Sequence, residues 1–409
     1  MGQQLVALDP TGSDVYAEAE RLRRLGPVTR VQIPQGPEAW SITSHALIKK
    51  LLTDPRVSKD PRKHWPAWQR GEYQDGWLAT WVGVTNMFTA YGEDHRRLRK
   101  LIAPAFTARR TEAMQPSVER ITTALIEDLA AAPAGSVTDL RAGFAHPLPM
   151  QVICELFGIP SDDTRTELAR LAEIIMTSVD PEEAGKTLMA THELLRGLVA
   201  LKRRQPAEDL TSLLVSARDE DGQKMSEQEL LDTLLLVLVA GHETTVNLIG
   251  NAVHNLLTHP EQLKQVRAGQ ASWNDVIEET LRWSPSVANL PLRFAVEDIE
   301  IPDGPTIRKG DAILPSFVAA GRDPEQHGPT AGEFSVRRPN VEHLSFGHGV
   351  HHCLGAPLAR METRLALPAL FDRFPDLELA VSEEELEPSA GFITTGLRSL
   401  PIRLTPATP

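Results

Sequence analysis

A mainly helical fold with a small β-rich part is predicted from three features of the sequence. The first is residues 226–259. Ser226 and Glu229 make an S-x-x-E capping pattern. Leu230, Leu231, Leu234, Leu235, Val237, Leu238 and Val239 then leave almost no polar face. A helix that is apolar nearly all round belongs inside a large protein, and this one would span roughly 50 Å at about 1.5 Å per residue. The second feature is the recurrence of helical patterns along most of the remaining chain. The third is that strand-like alternation is short and confined mainly to residues 27–43, 290–315 and 377–404.

In chain order, residues 13–25 read as an amphipathic helix stopped by Gly26-Pro27. Residues 28–33 and 39–43 read as two strands joined through Pro34-Gln35-Gly36-Pro37, a hairpin signal, and 44–52 as a short helix. Residues 54–91 are irregular but hold four of the seven tryptophans, Trp65, Trp68, Trp77 and Trp81, with Met87 and Phe88. Loops this long are usually functional or disordered, and the aromatic content opposes disorder. These rings either staple the loop to the body or belong to a lid. Residues 92–106 form a basic helix on which His95 and Arg99 share a face. Residues 111–132, 146–157, 164–178 and 181–204 read as further helices, with a short link at 178–181 between an antiparallel pair. Beyond the central segment, 273–283 is a helix with Glu279 and Arg282 at i, i+3, by itself a weak signal. Residues 290–296, 299–301, 306–307 and 312–314 alternate like short strands, and 322–338 is an irregular meander. A turn at 391–396 lies between terminal strands at 377–379 and 401–404.

The bulk properties narrow the class. A chain of 409 residues with 41% hydrophobic content and no linker, repeat or low-complexity run is read as one domain, 1–409. A net charge of −13 argues against a nucleic-acid partner. Cys154 and Cys353 are too few and too far apart in sequence for a disulfide framework, which fits a reducing cytosol. There is no apolar run followed by a cleavage site, and no segment approaches ~20 consecutive apolar residues. A cytoplasmic monomer without a membrane anchor is expected.

Two stretches carry the chemistry. In the first, Phe346, Gly349, Cys353 and Gly355 fall into F-x-x-G-x-x-x-C-x-G. Gly347, Gly349 and Gly355 let the backbone turn tightly and approach something flat or bulky. A helix over 356–371 follows, with Pro357 in its first turn, where proline is tolerated. A sulfur at a helix N-terminus is held as thiolate by the dipole and the unpaired N–H groups, as an axial ligand to heme iron requires. The competing readings are an inert buried cysteine and a zinc site drawing on His343, His348, His351 and His352, although structural zinc normally uses spaced cysteine pairs. In the second stretch, Ala240-Gly241-His242-Glu243-Thr244-Thr245 interrupts the apolar central helix. Glycine in a helix interior costs up to about 1 kcal/mol and a core glutamate is expensive unless used or paired. Such violations gather where function is expected; the alternative is a kink around a satisfied polar pocket.

With Glu279-x-x-Arg282 between them, these stretches closely resemble the cytochrome P-450 superfamily, over essentially the whole chain. The resemblance implies a triangular helical prism with a long central helix and a small β-rich region. It implies a monooxygenase that uses heme b, O2 and two electrons, ultimately from NAD(P)H, to hydroxylate a bulky apolar small molecule. Cys353 would ligate the iron, with Phe346, Gly347 and Gly355 shaping its loop. His95, Arg99, Arg293 and His351 would hold the heme propionates. Thr244 would steady dioxygen and Glu243 would relay protons, with Ala240 and Gly241 leaving room for O2 and substrate. Glu279, Arg282 and Arg338 would form a buried structural ion group. Met87, Phe88, Leu236, Val239, Leu290, Phe392, Ile393 and Thr394 are substrate-contact candidates. A ferredoxin and its reductase would supply electrons at a basic patch of Arg96, Arg97, Lys100, Arg109, Arg110, Arg360 and Arg364. Residues 84–90, joined to 94–99, look like those of soluble actinobacterial enzymes that hydroxylate steroids or macrolides. A heme-thiolate oxidase or peroxygenase in natural-product biosynthesis, and a non-enzymatic heme-binding protein, are the alternatives. Two positions depart from the commonest bacterial pattern: Gly321, where asparagine is frequent, and Pro339 directly after Arg338.

Overall fold

The computed structural model describes residues 5–133, 135–177 and 181–404. Helices make up most of it, and the central one, Glu227–Thr258, organises the rest. Its start is set by the expected capping box: the Ser226 hydroxyl accepts from the Glu229 N–H, and the Glu229 carboxylate accepts from the Ser226 N–H at 2.7 Å. By length and composition this helix could cross a membrane, but 61% of its most apolar 18-residue window is buried inside the protein.

The central helix joins two apolar cores. Its C-terminal half, with Val246, Ile249, Val253 and Leu256, packs with helices Gln115–Ala130, Trp273–Trp283 and Ala356–Arg373. Its N-terminal half, with Leu230, Leu231, Leu234 and Leu238, packs with helices Gly92–Ile102, Pro147–Phe157 and Pro181–Arg204. Residues 240–245 belong to neither core, so the polar interruption falls at the junction.

The β-rich part is a six-stranded sheet in the order Val6–Ala7, Val28–Gln32, Glu38–Ile42, Ala312–Pro315, Arg293–Ala295, Val57–Ser58, with a three-stranded and a two-stranded sheet apart from it. The hairpin of 28–32 with 38–42 is antiparallel, Val28 opposite Ile42. Strands at 6–7, 57–58 and 137–139 are additions to the expected β regions; segments of two or three residues are too short to show alternation.

The 54–91 segment is more regular than expected, with short helices Pro61–His64, Pro66–Gln69 and Trp77–Val82. The sequence reading also missed helices Leu210–Ser216, Pro260–Arg267, Phe317–Gly321 and Pro324–His327. The link expected at 178–181 lies outside the described residues except for Pro181, where the next helix starts.

Candidate active site

The Cys353 loop is a series of tight turns. The Gly347 N–H donates to the Leu344 carbonyl at 2.8 Å, Cys353 N–H to Phe346 at 2.9 Å and His352 N–H to Gly349 at 3.0 Å. Gly347 and Gly349 have φ of 71° and 70°, where other residues are strained, and a Cβ on Gly349 would stand 2.7 Å from the Leu52 carbonyl oxygen. Phe346 is partly buried beneath the Arg360 guanidinium, 4.5 Å above its ring. Cys353 keeps an exposed edge, and Gly355 is the cap of helix Ala356–Arg373. Burial pushes the thiol pKa up, while N–H bonds from Gly355 and Ala356 and the charges of Arg99 and Arg360 pull it down. Of the four histidines weighed as zinc ligands, His343 is engaged by Glu278 at 3.1 Å. Among the described residues, no three His, Cys, Asp or Glu side chains form a metal-binding group.

Above the loop, basic groups crowd together. The His95 and His351 rings lie 4.1 Å apart between centroids. Arg293, in the sheet, and His95, on the basic helix, are 4% and 3% exposed, and each has a buried nitrogen with no partner among the described residues. Burial, followed by the charges of Arg99, Lys59 and Arg96, lowers the His95 pKa to about 4. His351 is depressed more strongly, by burial and then by Lys59, His95, Arg293 and Arg99. Burial brings Arg293 to about 10. Arg99 donates to the His352 carbonyl at 2.8 Å and so reaches the loop. No carboxylate contributes to any of these shifts. Buried like charges without a counter-ion cost several kcal/mol, and a flat cofactor with two carboxylates would offset that cost. The residues therefore fit heme.

On the central helix, Leu236, Ala240 and Thr244 are four apart and only partly covered, with Ala240 exposed, while most of their neighbours are buried. One stripe of the helix is thus left partly uncovered. The Thr244 hydroxyl donates back to the Ala240 carbonyl at 2.7 Å. A Cβ on Gly241 would lie 3.2 Å from Ile153 Cδ1, so glycine lets the two helices close up. Glu243 is buried and does not share the Thr244 face. It is ion-paired to Arg141 at 2.9 and 3.2 Å, and Arg141 also donates to Asn247 at 3.1 Å.

Glu279 and Arg282 are both fully buried. All five N–H bonds of Arg282 are used: two reach Glu279 at 2.7 Å, and three reach the carbonyls of Gly321, Ala331 and Glu333 at 2.7–2.8 Å. Arg338 Nε and the Ser335 N–H add bonds to Glu279 at 3.1 and 2.8 Å. This packing explains Gly321, because a Cβ there would stand 1.9 Å from the Arg282 carbonyl oxygen.

The substrate candidates divide. Met87, Phe88, Leu236, Val239, Leu290, Ile393 and Thr394 are partly exposed. Phe392 differs from them: it is 5% exposed and set edge-on to Trp77 at 5.4 Å, packed with the core beside the sheet. The tryptophans staple the 54–91 segment. Trp65 stacks on Phe294 at 5.0 Å and Tyr73 at 5.3 Å, and Trp77 donates to the Pro34 carbonyl at 3.1 Å.

Four residues escaped the sequence reading. Lys59 is buried among the basic groups. Arg141 starts a single π-helical turn, Arg141–Ala145. Asp232, a lone acid among leucines, accepts from the Thr85 N–H at 2.7 Å and Gln228 at 2.8 Å and lies 3.1 Å from His192 Nε2. Glu362 is 3% exposed with an unpartnered oxygen, and burial raises its pKa to about 8. Only Asp232 gave a signal, an acid inside an apolar run.

The family model for cytochrome P450 matches residues 23–271 and 273–403. The 2-hydroxy-5-methyl-1-naphthoate 7-hydroxylase of Streptomyces carzinostaticus is 44% identical over 398 residues, covering 97% of both chains. The 6-deoxyerythronolide B hydroxylase of Saccharopolyspora erythraea is 38% identical, covering 96% of both. The 1.85 Å structure of CYP154A1 from Streptomyces coelicolor A3(2) is 51% identical, with a TM-score of 0.91 over 98% of this chain and 100% of that one.

Proposed function

The chain belongs to the cytochrome P450 family and is a heme-thiolate monooxygenase acting on a bulky substrate; on that premise we propose which residues do the work and on what. When bound, heme b supplies the iron at which O2 is activated for transfer of one oxygen atom, with electrons drawn ultimately from NAD(P)H. Cys353 is the thiolate ligand, in a loop shaped by Phe346, Gly347 and Gly355. His95, Arg99, Arg293 and His351 hold the two carboxylates. The observation that carries this assignment is the buried basic cluster with no acid of its own.

Thr244, on the uncovered stripe with Leu236 and Ala240, presents its hydroxyl oxygen on the substrate side and takes part in proton delivery there, while Gly241 lets the neighbouring helix close up behind it. Glu243, held by Arg141, is the carboxylate that exchanges protons with the surroundings and hands them toward Thr244. Glu279, Arg282 and Arg338 fix the loop from behind.

The substrate is proposed to be a bulky, largely apolar small molecule of the macrolide or other polyketide class, or a steroid. The names of the relatives support this range, and the partly exposed Met87, Phe88, Leu236, Val239, Leu290, Ile393 and Thr394 are its contacts. A ferredoxin and its reductase deliver the electrons. Arg96, Arg97, Lys100 and Arg360 are ion-paired to Glu93, Glu229, Glu220 and Glu278, so the docking patch is narrowed to Arg109, Arg110 and Arg364. The protein is proposed to act as a one-domain cytoplasmic monomer with no nucleic-acid or membrane partner.

Reduction under carbon monoxide tests the core assignment. A red-displaced Soret band is expected, and a Cys353→Ser variant should lose it; a normal-position band in the unsubstituted protein would overturn the thiolate assignment. Spectral titration with steroids and macrolactones then ranks the substrate classes.

A further inference from the structure

Lys59 follows the two-residue strand Val57–Ser58, which pairs antiparallel with the Arg293 strand: Val57 is opposite Ala295 and Ser58 opposite Phe294. The next step of that register brings Lys59 toward Arg293. The two charges interact, since Arg293 is the named electrostatic contributor to lowering the Lys59 pKa after burial. Lys59 is also second among the charges acting on His95. It is 3% exposed, and its ammonium has no hydrogen-bond partner among the described residues. Among the described residues, its compensating contact is the Phe88 ring, 3.3 Å away at the centroid. Like charges on neighbouring strands are destabilising even at a surface, and a buried ammonium without an anion is far more so. A cation–π contact offsets only part of that cost. A lysine whose sole purpose was to cover Phe88 would be better replaced by leucine or methionine.

From this geometry we propose that Lys59 is a further anchor for the heme carboxylates, beside Arg293, and not a packing residue of the lid. The proposal rests on the family assignment. It adds a constraint: a single residue links the cofactor's acidic edge to Phe88, so cofactor seating and the placement of the lid share one side chain.

The test uses the heme-loaded full chain. The carbon monoxide spectrum of the unsubstituted protein is recorded first, so that failure of the family assignment is seen separately. Heme transfer to excess apomyoglobin is then compared for Lys59→Met, Lys59→Arg and Phe88→Leu. Loss of a charge-assisted bond predicts transfer about tenfold faster in Lys59→Met. Phe88→Leu should stay within about threefold of the parent and Lys59→Arg should retain heme. The Fe(III)/Fe(II) midpoint potential should fall in Lys59→Met, because a cation near the iron is gone, and the propionate bending bands in resonance Raman should shift. If Lys59→Met does not accumulate with heme, Lys59→Arg decides: retention supports the proposal and loss overturns it. Unchanged transfer and Raman bands in Lys59→Met overturn it. So do equal effects from Lys59→Met and Phe88→Leu, which would mean packing. Unchanged heme retention with weaker binding of carboxylate-bearing ligands also overturns it, assigning Lys59 to the substrate.

Discussion

Behind the Cys353 loop, Glu279 and Arg282 are fully buried, with every guanidinium N–H spent on a defined acceptor. On the side of the 54–91 segment, Asp232 of the central helix ties that segment and helix Pro181–Arg204 by a few bonds. The 54–91 segment donates through the Thr85 N–H and the Asn86 side chain, the latter to the Asp232 carbonyl at 2.9 Å, and helix Pro181–Arg204 meets it through His192. The first arrangement leaves no alternative partner, so the loop has one position. The second can open by exchanging a few bonds with water. The difference suits the two tasks, since a metal ligand must stay fixed while a bulky substrate must enter.

The largest effect should come from breaking the rigid side. Glu279→Ala leaves Arg282 and Arg338 buried without their shared carboxylate, at a cost of about 3–5 kcal/mol. The variant should accumulate poorly and hold little heme, measured as heme content per chain and as the urea midpoint. A urea midpoint and heme content equal to the parent's would show that the network is dispensable and the two sides equally soft.

Next in size is Glu362, on the helix that follows the loop. Its folded pKa of about 8 lies above the ordinary 4.5, so the folded state holds the proton more tightly than the unfolded one. The stability this confers is complete below about pH 4.5 and is lost as pH rises through about 8. Relative to Glu362→Gln, the parent should lose stability with a slope of up to about 1.4 kcal/mol per pH unit across that window, then level off. Urea midpoints of the two proteins from pH 5 to 9 check it; parallel curves would mean that Glu362 finds a partner in solution.

The contrast between the two sides also governs what the sequence revealed. The central helix and its capping box were legible within one residue, and helix Trp273–Trp283 to the residue, because period and caps are local. The Glu279-x-x-Arg282 pairing was legible because both residues sit on one helix turn. The cation cluster was half legible: four members matched a family pattern, but Lys59 is placed by a strand too short to show alternation. The Arg141–Glu243 bond spans 102 positions and has no local signature. The Phe392–Trp77 contact was not legible, because it joins a turn near the C-terminus to a helix more than 300 positions earlier.

A smaller effect is expected on the soft side. Asp232→Ala removes the acceptors of Thr85, Gln228 and His192 and should cost about 1–3 kcal/mol, mostly as local opening. Amide exchange over residues 81–91 should quicken and substrate affinity should drop several-fold, while the carbon monoxide spectrum keeps its thiolate form. Equal quickening around residues 344–355 would mean that the two sides do not open independently.

The smallest effect concerns the surface outside both regions. Arg110 and Arg364 are exposed, in contrast to Arg97, Lys100 and Arg360, which already face carboxylates. Reversing both charges, Arg110→Glu with Arg364→Glu, should slow reduction by an acidic ferredoxin about three- to tenfold at low salt, with the gap closing as salt screens the field. Reversing Lys100 should do less to docking, because its loss is shared with Glu220. Stopped-flow reduction across a salt series separates the cases. A salt-independent loss in the double variant would point to damage to the loop helix that carries Arg364, and the rigid side would then extend to the surface.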